Sequence, residues 1–473
     1  MAQTSKGKVI KAGFGYTVAN YLIKGLAFLT IPIFSRLLST TDYGLFNTYH
    51  AYESVFASFV GLALYMSLKN AKYRFGKEYH NYISSLLLIN VIAFIAWEFL
   101  ALTLYPIYKN AIGLSFSIVF ILIIHCFCSS VLAYYNMYLS LSYSYKRYMI
   151  IAFVNAAANI VASIFLITTV FSGNRYVGRV LGTVIPLVPI AIYIVYQFWR
   201  KVRPRINLEY WKFGLKYSVP LIPHAVSQVI MNQFDRIMIN NMVNASSAGI
   251  YSFAYNIYLI IEVTKGSLDN VWSAWFYEKY NSNDYDGIRK ASSTYVLGMF
   301  CFVTIIILIA PELIKILGTN DYYDAAYLVA PICVAGFFSF LYSLPTQVEY
   351  YHEKTHYISI GTVAAALLNI VLNYFFIRKY GYIAAAYTTE FTYLIYFIIH
   401  YCIAKRIAGK DLFNGLYLLI VSIVIIMLGI ISTLLVDEAM VRWLCIIPVV
   451  GIILRLVRKS GYVTAFIQTK LKK

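Results

Sequence analysis

Polar side chains recur at helical spacing inside one apolar stretch of this sequence. His224, Gln228, Asn232 and Arg236 follow one another at intervals of four, with Asp235 beside the last. Each step of four residues overshoots a helical turn by about 40°, so the side chains stay on one flank over roughly 18 Å. Hydrogen bonds between helices would explain such a flank, as would the wall of a wet cavity. We favour the cavity and take all four as candidate substrate-binding residues.

A lysine lies near the middle of the first apolar stretch. Lys24 is about twelve residues from either end of the predicted helix 12–35, and its side chain of roughly 6 Å cannot reach water about 15 Å away. An ionisable group at that depth is costly and needs a partner or a cavity. Asn20 lies one turn earlier on the same face. A buried ion pair is the alternative; we favour a cavity and take Lys24 and Asn20 as candidate substrate-binding residues.

Carboxylates in the predicted helices are candidates for ion coupling. Glu53 lies in the second helix, as a counter-ion for Lys24 or as a proton carrier, and the sequence leaves both roles open. Glu262 and Lys265 are three residues apart in the eighth helix, close enough to pair with each other. The sequence does not distinguish between H⁺ and Na⁺ as the coupling ion. The ion-coupling candidates are Glu53, Asp235, Glu262 and Lys265.

Amide side chains spaced by four occur at corresponding places of both halves of the chain. Asn155 and Asn159 precede Ser163, and Asn369 precedes Asn373. Polar side chains of this kind join transmembrane helices by hydrogen bonds. We therefore predict a packing role for them.

Composition indicates which kind of protein positions these residues. Of the 473 residues, 60% are hydrophobic and 12% are charged, whereas a soluble chain averages about 25% charged residues. With about 20 apolar residues for each crossing, the length leaves room for about fourteen transmembrane helices joined by short loops. The sequence thus predicts an all-α membrane protein with helices at 12–35, 43–68, 81–105, 112–140, 148–171, 176–199, 214–240, 247–268, 291–311, 324–348, 356–377, 381–404, 412–435 and 439–457.

Enzymatic and metal-binding motifs are missing from the sequence. It has no P-loop, GxSxG or HExxH motif, and its six cysteines lie in apolar runs, where they are typical small hydrophobic residues. A membrane glycosyltransferase or polymerase would need a sizeable extramembrane loop with carboxylates, and the predicted loops are too short. We therefore predict no catalytic residue, no metal site and no cofactor, and a protein that is not an enzyme.

The basic residues lie mainly on one side of the predicted helices. Of the 39 Lys and Arg residues, 29 lie on the side of the two termini, 8 on the other side, and Lys24 and Arg236 within the membrane. Positive charge is retained on the cytoplasmic side, so both termini are predicted to be cytoplasmic. The net charge of +19 thus reflects membrane sidedness, and we expect no nucleic acid partner.

The chain repeats itself at an offset of about 205 residues. SRLLSTTDYGLF at 35–46 aligns with NNMVNASSAGIY at 240–251, which places Gly44 on Gly249. NIVASIFLI and RYVGRVLGT of the first half align with NIVLNYFFI and GYIAAAYTT of the second. Six helices in each repeat give both halves the same orientation, with substrate sites expected between them near the midplane. We predict a six-helix half at 1–200, a second at 205–405, and two additional helices at 411–460.

Three segments carry a resemblance to a known family. IPIFSRLLSTTDYGLF at 31–46, ILGTNDYYDAAYLVAPI at 316–332 and LLNIVLNYFFIRKYGYIAAAYTTE at 367–390 resemble bacterial polysaccharide flippases of the O-antigen, Wzx type. That family belongs to the MATE-like exporter (MOP) superfamily, which also contains multidrug exporters and lipid II flippases. The resemblance implies a MATE-like fold of two pseudo-symmetric six-helix halves plus two C-terminal helices.

The resemblance also implies a function. It is alternating-access flipping of undecaprenyl-pyrophosphate-linked oligosaccharides across the bacterial inner membrane, with Lys24 and Arg236 as the cations of the cavity. Membrane lipids, a polysaccharide polymerase and a chain-length regulator are the expected partners. A MATE-like multidrug or small-molecule antiporter and a lipid II-type flippase are the alternatives. An antiporter would have an acid-dominated pocket, for which Glu53 and Asp235 are available.

Cysteine labelling tests the predicted topology. In a variant without the six native cysteines, single cysteines near Arg74, Arg203 and Lys470 should be shielded from impermeant thiol reagents in intact cells. Cysteines near Lys109, Gly318 and Asp437 should react, because the charge bias places them outside. Labelling near both Arg74 and Lys109 would contradict the helix assignment in the N-terminal half.

Overall fold

All regular structure described in this protein is helical. The computed structural model describes residues 6–459. The predicted cytoplasmic location of the two terminal segments, including Lys470, concerns residues outside that range. Hydrocarbon offers backbone amides no hydrogen-bond partner, and a helix satisfies them within its own segment. The helices are α1 (Lys6–Leu37), α2 (Thr40–Val60), α3 (Leu68–Phe75), α4 (Tyr79–Thr103), α5 (Tyr105–Ile112), α6 (Phe116–Leu141), α7 (Tyr145–Phe165), α8 (Arg175–Lys201), α9 (Leu208–Ser218), α10 (Ile222–Met242), α11 (Ala245–Asn281), α12 (Tyr285–Leu317), α13 (Ala326–Tyr351), α14 (Thr355–Tyr380), α15 (Ile383–Ala408), α16 (Gly415–Leu434) and α17 (Ala439–Lys459).

The long helices match the sequence prediction in number and order. Within residues 6–459, every helix except α3, α5 and α9 has at least 20 residues, and each long helix overlaps one predicted helix. Ten helical segments in this range are long and apolar enough to cross a membrane. The long helices α2, α10, α11 and α17 are not among them, and the first three carry Glu53, Arg236 and Lys265. Fourteen crossings therefore remain a prediction.

Two helix ends differ from the prediction for local reasons. The helix predicted at 43–68 ends at Val60, since Leu62 and Ala63 adopt positive φ angles of 50° and 46°, which a helix cannot continue through. In contrast, α11 continues to Asn281, although a loop was predicted from 269. The side chains of Trp272 and Phe276, one turn apart, are buried and extend the apolar face of α11.

The chain forms two compact units, Met1–Gly249 and Ile250–Lys473. In the first unit α10 packs against α2, and α7 packs against α8. In the second, α13 packs against α15, and α16 and α17 pack against α12. The division into 1–200, 205–405 and 411–460 was drawn from the internal repeat, and it remains a prediction.

Two glycines that the repeat aligns meet inside the first unit. A Cβ atom on Gly44 would lie 1.8 Å from the carbonyl oxygen of Ala245, and one on Gly249 would lie 2.0 Å from that of Thr40. The Thr40 and Ser246 hydroxyl groups share a hydrogen bond of 2.8 Å at the same crossing. Only glycine permits such an approach of two helices. Because Thr40 aligns with Ala245 in the repeat, the contact is reciprocal, as expected of equivalent positions.

An ion pair and the hydrogen bonds of two tyrosines attach the last two helices to the rest of the second unit. Arg442 of α17 binds the Glu312 carboxylate through two bonds, of 2.7 and 2.8 Å, and is buried. In the turn between α16 and α17, the Asp437 carboxylate accepts hydrogen bonds from Tyr327 and Tyr323. Both bonds stabilise the charged form and lower the pKa of Asp437.

Two of the cations counted on the less basic side have protein partners. Arg179 lies in α8 and donates to Asn159, and Arg442 lies in α17 and binds Glu312. The charge bias and the orientation of the termini remain predictions.

Candidate functional site

The start of α2 fixes the position of its polar residues. Ser39 caps the helix, because its hydroxyl oxygen accepts the amide N–H of Asp42 at 3.1 Å and the hydroxyl donates to the Asp42 carboxylate at 2.7 Å. From this start, Tyr49 and Glu53 lie one turn apart on the buried side of α2. Tyr49 faces α6, against which α2 packs, and the backbone oxygen of Glu53 accepts a hydrogen bond from the Cys126 thiol of the same helix.

Glu53 belongs to a cluster of titratable groups, which we call the Glu53 cluster: Tyr49, Glu53 and His125, which are buried, and His50, which is exposed. The Glu53 side chain is 7% exposed, and its carboxylate lies 3.8 Å from Nδ1 of His50. The Tyr49 hydroxyl and Nδ1 of His125 are 3.1 Å apart, and their rings stack. The cluster thus places a carboxylate and an imidazole side by side on α2.

The predicted cation of α1 lies on an exposed part of its helix. Tyr148 of α7 donates to the side-chain oxygen of Asn20 at 2.7 Å, and the Tyr16 ring packs against Tyr148. One turn further on, Lys24 is exposed. Asn20 thus attaches α1 to α7. That Lys24 and Asn20 bind substrate remains a prediction.

The polar residues predicted on one flank lie in α10, and the last two of them form hydrogen bonds within that helix. Asn232 donates to the backbone oxygen of Gln228 at 2.8 Å. Arg236 donates to the backbone oxygen of Asn232 at 2.7 Å and to the side chain of Gln233 at 2.6 Å. His224 is half-buried at the start of the helix.

Arg236 lies in the protein interior. Its side chain is 7% exposed and folds back on α10, and neighbouring Asp235 is buried as well. The carbonyl and amide oxygens of the preceding turn hold the guanidinium group there. As binding or coupling residues, His224, Gln228, Asn232, Arg236 and Asp235 remain predictions.

A ladder of three polar bonds joins α11 to α13. The Lys265 ammonium group donates to Ser339 at 2.7 Å and lies 4.9 Å from the centre of the Tyr342 ring. Ser343 donates to Asp269 at 2.6 Å, and Ser273 donates to Gln347 at 2.7 Å. Each step advances four residues on both helices, which run in the same direction. Lys265 is thus engaged with α13, and Glu262 is exposed on α11; their coupling roles remain predictions.

The predicted packing role is confirmed for Asn159, Ser163, Asn369 and Asn373, whereas the buried side-chain oxygen of Asn155 has no hydrogen-bond partner among the described residues. Arg179 of α8 donates to Asn159 and Ser163 of α7, both at 2.6 Å, and stacks on the Phe34 and Phe46 rings. In the second unit, Asn369 donates to Thr389 of α15 at 3.2 Å, and Asn373 accepts from Thr388. Equivalent helices of both units are thus joined by hydrogen bonds of asparagine side chains. Arg179 itself was missed, because its position near a predicted helix end resembled that of a loop cation.

A buried acid–histidine pair in the second unit also escaped the sequence analysis. Glu349 of α13 and His400 of α15 are fully buried, with Oε1 and Nδ1 only 2.6 Å apart. Their other polar atoms, Oε2 and Nε2, have no hydrogen-bond partner in the part of the chain that the structure describes. A Cβ atom on Gly361 would lie 2.8 Å from Nε2, so glycine gives the imidazole room against α14. The two residues are 51 positions apart, and no local spacing could have indicated them.

A family model described as "Polysaccharide biosynthesis protein" matches residues 9–267, more than half of the chain. The chain belongs to this family. The Lsg locus protein 1 of Haemophilus influenzae is 21% identical to it in an alignment of 382 positions, which covers 77% of this chain and 90% of that protein.

Solved structures establish the fold of this family member. A structure of the lipid II flippase MurJ in an inward closed conformation covers 91% of this chain and 99% of its own, with a TM-score of 0.69 and 15% identity. An inward-facing multidrug resistance MATE transporter of the MOP superfamily covers 86% of this chain and 96% of its own, with a TM-score of 0.60 and 14% identity. The predicted MATE-like fold is therefore confirmed.

The site residues of this polysaccharide biosynthesis protein thus fall into two groups. Lys24 and Glu262 are exposed, while Glu53, Asp235 and Arg236 are buried. Among the residues described, no group of three or more His, Cys, Asp or Glu side chains is placed to hold a metal ion. Four cysteines are buried and two, Cys402 and Cys445, are exposed. The exposed residues can meet a ligand directly, whereas the buried ones contact neighbouring protein groups.

The Glu349–His400 pair makes a prediction about stability. His400→Leu should destabilise the protein by about 3–5 kcal/mol, because it leaves the carboxyl group of Glu349 buried without its partner. The double variant Glu349→Leu/His400→Leu should recover most of this loss, since it removes both polar groups. Thermal unfolding midpoints in detergent, with exposed His356→Leu as the control, give the ranking. A double variant as unstable as the single one would show that the pair is not the source of the effect.

Proposed function

We propose that this protein is a flippase for oligosaccharides linked to undecaprenyl pyrophosphate in the bacterial inner membrane. The proposal rests on one observation in a chain of this family: Lys24 is exposed in the middle of an apolar helix. An exposed cation at that depth can bind an anionic ligand that passes along the helix. A lipid-linked pyrophosphate is an anion that must pass through the membrane.

The chemistry of this substrate agrees with the residues available. Pyrophosphate oxygens bind cations through charge-assisted hydrogen bonds, which Lys24 can donate. A sugar needs polar and aromatic walls, and the chain has 45 tyrosines. Buried Arg236 contributes positive potential at longer range, and its bonds to Asn232 and Gln233 keep it from reaching a ligand without rearrangement.

Transport is proposed to proceed by alternating access. MATE transporters with this fold have been solved in an inward-facing and in an outward-facing form. A site near the midplane can then open to one side at a time. The proposed orientation has both termini in the cytoplasm, as the charge bias predicts. A polysaccharide polymerase and a chain-length regulator are the proposed partners.

For coupling, we propose that Glu53 carries a proton. Its carboxylate is buried between α2 and α6 and has His50 as its neighbour at 3.8 Å. A buried carboxylate beside a histidine can change charge when the site opens to water, and that change can favour one conformation over the other. Na⁺ coupling through Asp235 is the alternative that the same experiment separates.

Charge at Lys24 should matter more than its shape. Lys24→Arg should retain partial export of surface glycan, whereas Lys24→Ala and Lys24→Glu should abolish export. A pyrophosphate deprived of its counter-charge at low dielectric costs several kcal/mol. Export should be measured together with the leaflet distribution of the lipid-linked precursor, which should accumulate on the cytoplasmic leaflet.

The matched control is Lys69→Glu, a charge reversal at an exposed position of α3, compared at equal protein levels in the membrane. It should leave export unchanged. Arg236→Ala should reduce export less than Lys24→Ala does. Normal export by Lys24→Glu would rule out the phosphate-binding role and favour the antiporter instead.

Glu53→Gln should uncouple transport from a proton gradient, because an amide keeps the size of the side chain but cannot release a proton. In proteoliposomes, an imposed pH gradient should accelerate translocation by the wild type and by Glu98→Gln, a half-buried carboxylate of α4, but not by Glu53→Gln. Acceleration of Glu53→Gln by the pH gradient would contradict the assignment. Acceleration of the wild type by a Na⁺ gradient alone would favour Asp235.

A further inference from the structure

An apolar groove crosses the outer surface of the first unit. It lies between α4, α6 and α8 and has a volume of about 760 Å³, within the range of about 300–1,000 Å³ that ligand pockets occupy. Its walls include Val91, Ile95, Ile124, Val188 and Ile192. Ile95 and Ile192 are exposed, so the groove opens sideways, towards the hydrocarbon around the protein.

A polar pocket of about 500 Å³ lies at one end of this groove. Arg203 and Arg205 line it together with Asn81, Ser85 and Asn207. The groove itself ends at Trp199 and Arg200. Neither lining contains a carboxylate.

The two spaces follow one another along α4, and we refer to them together as the path. Asn81 and Ser85 border the polar pocket, and Val91 and Ile95 follow in the groove on the same helix. Ten residues separate Ser85 from Ile95, which is about 15 Å of helix. That length equals about half of the 30 Å hydrocarbon core, or one leaflet.

Two tryptophans mark the boundary between the polar and the apolar part. The Trp199 indole donates to the backbone oxygen of Ser84 at 3.3 Å, and the Trp211 indole donates to that of Ser85 at 3.0 Å. Tryptophan prefers the headgroup level of a bilayer. Both bonds therefore place the headgroup level at Ser84 and Ser85, with the arginines on its wet side.

The charge around the pocket favours an anion. Arg200, Lys201, Arg203 and Arg205 lie within six residues. The carboxylates nearby are engaged, since Tyr210 donates to Glu78 at 2.5 Å and Glu209 lies 4.0 Å from the guanidinium of Arg74. Basic pockets between transmembrane helices on the cytoplasmic side are suited to anionic lipid headgroups.

We propose that this path is a binding site for one anionic glycerophospholipid. The phosphate of the lipid binds Arg203 and Arg205, and an acyl chain fills the groove between α4 and α8. The apolar part faces the bilayer and has the depth of one leaflet, which favours a resident lipid over a free phosphate ion. The site lies within the first unit, and it does not rest on the proposed transport function.

Native mass spectrometry of the full-length protein in detergent tests this proposal. The probes are dioleoyl phosphatidylglycerol and dioleoyl phosphatidylethanolamine, added in turn. One phosphatidylglycerol should be retained in preference to phosphatidylethanolamine. Arg203→Gln/Arg205→Gln should weaken its retention about 30-fold, at about 1 kcal/mol for each cation near a lipid surface.

Two matched controls separate a built site from general surface charge and bulk. Lys201→Gln/Lys212→Gln removes two exposed cations of the same region that do not line the pocket, and it should retain the lipid. Ile192→Trp fills the groove and should lower retention, whereas Ile185→Trp, exposed on α8 outside the groove, should not.

The proposal is overturned if the two probes are retained equally, or if both pairs of charge variants lose the lipid to the same extent. Equal effects of Ile192→Trp and Ile185→Trp would likewise remove the groove from the site. Displacement of phosphatidylglycerol by equimolar undecaprenyl phosphate would show a site for the prenyl carrier instead. All of these readouts measure lipid binding, so they stand apart from any failure of the flipping assay.

Discussion

Hydrocarbon offers neither hydrogen-bond partners nor screening of charge, and the structure of this protein follows from that constraint. Backbone amides are satisfied within helices, so the polar side chains inside the membrane must find partners of their own. They do so in three kinds of group. These are the ladder between α11 and α13, the asparagine hydrogen bonds that join α7 to α8 and α14 to α15, and the buried Glu349–His400 pair. Each group lies where two helices pack, and each fixes the register of those helices.

Against this background, an exposed polar residue in the middle of an apolar helix has a distinct meaning. Asn20 of α1 is bound by Tyr148, but Lys24 one turn later is exposed, and Arg236 of α10 is turned onto its own helix. Under the proposed function, the pyrophosphate of the lipid carrier is the anion that Lys24 binds.

The sequence predicted the helices and their order because apolar runs and short polar breaks follow directly from bilayer thickness. It also predicted the repeat, and the reciprocal contact of Gly44 with Gly249 agrees with it. It could not predict the end of α11, which depends on partners contributed by α13. Nor could it find the Glu349–His400 pair or the contacts of Arg179, since these join residues 51 and 20 positions apart. Residue types indicated which helices carry the candidate residues. Only the structure showed that Lys24 is exposed and Arg236 is buried.

Translocation by the purified protein in proteoliposomes, with two substrates that carry the same oligosaccharide, tests the central claim most directly. One substrate is linked to the polyprenyl chain through pyrophosphate, and the other is an uncharged glycolipid with the same chain. An impermeant lectin reports which leaflet holds the glycan. The account predicts protein-dependent translocation of the pyrophosphate substrate and little of the uncharged one, because the cation of α1 acts on charge. Equal translocation of both, or none of the first above protein-free vesicles, would contradict it.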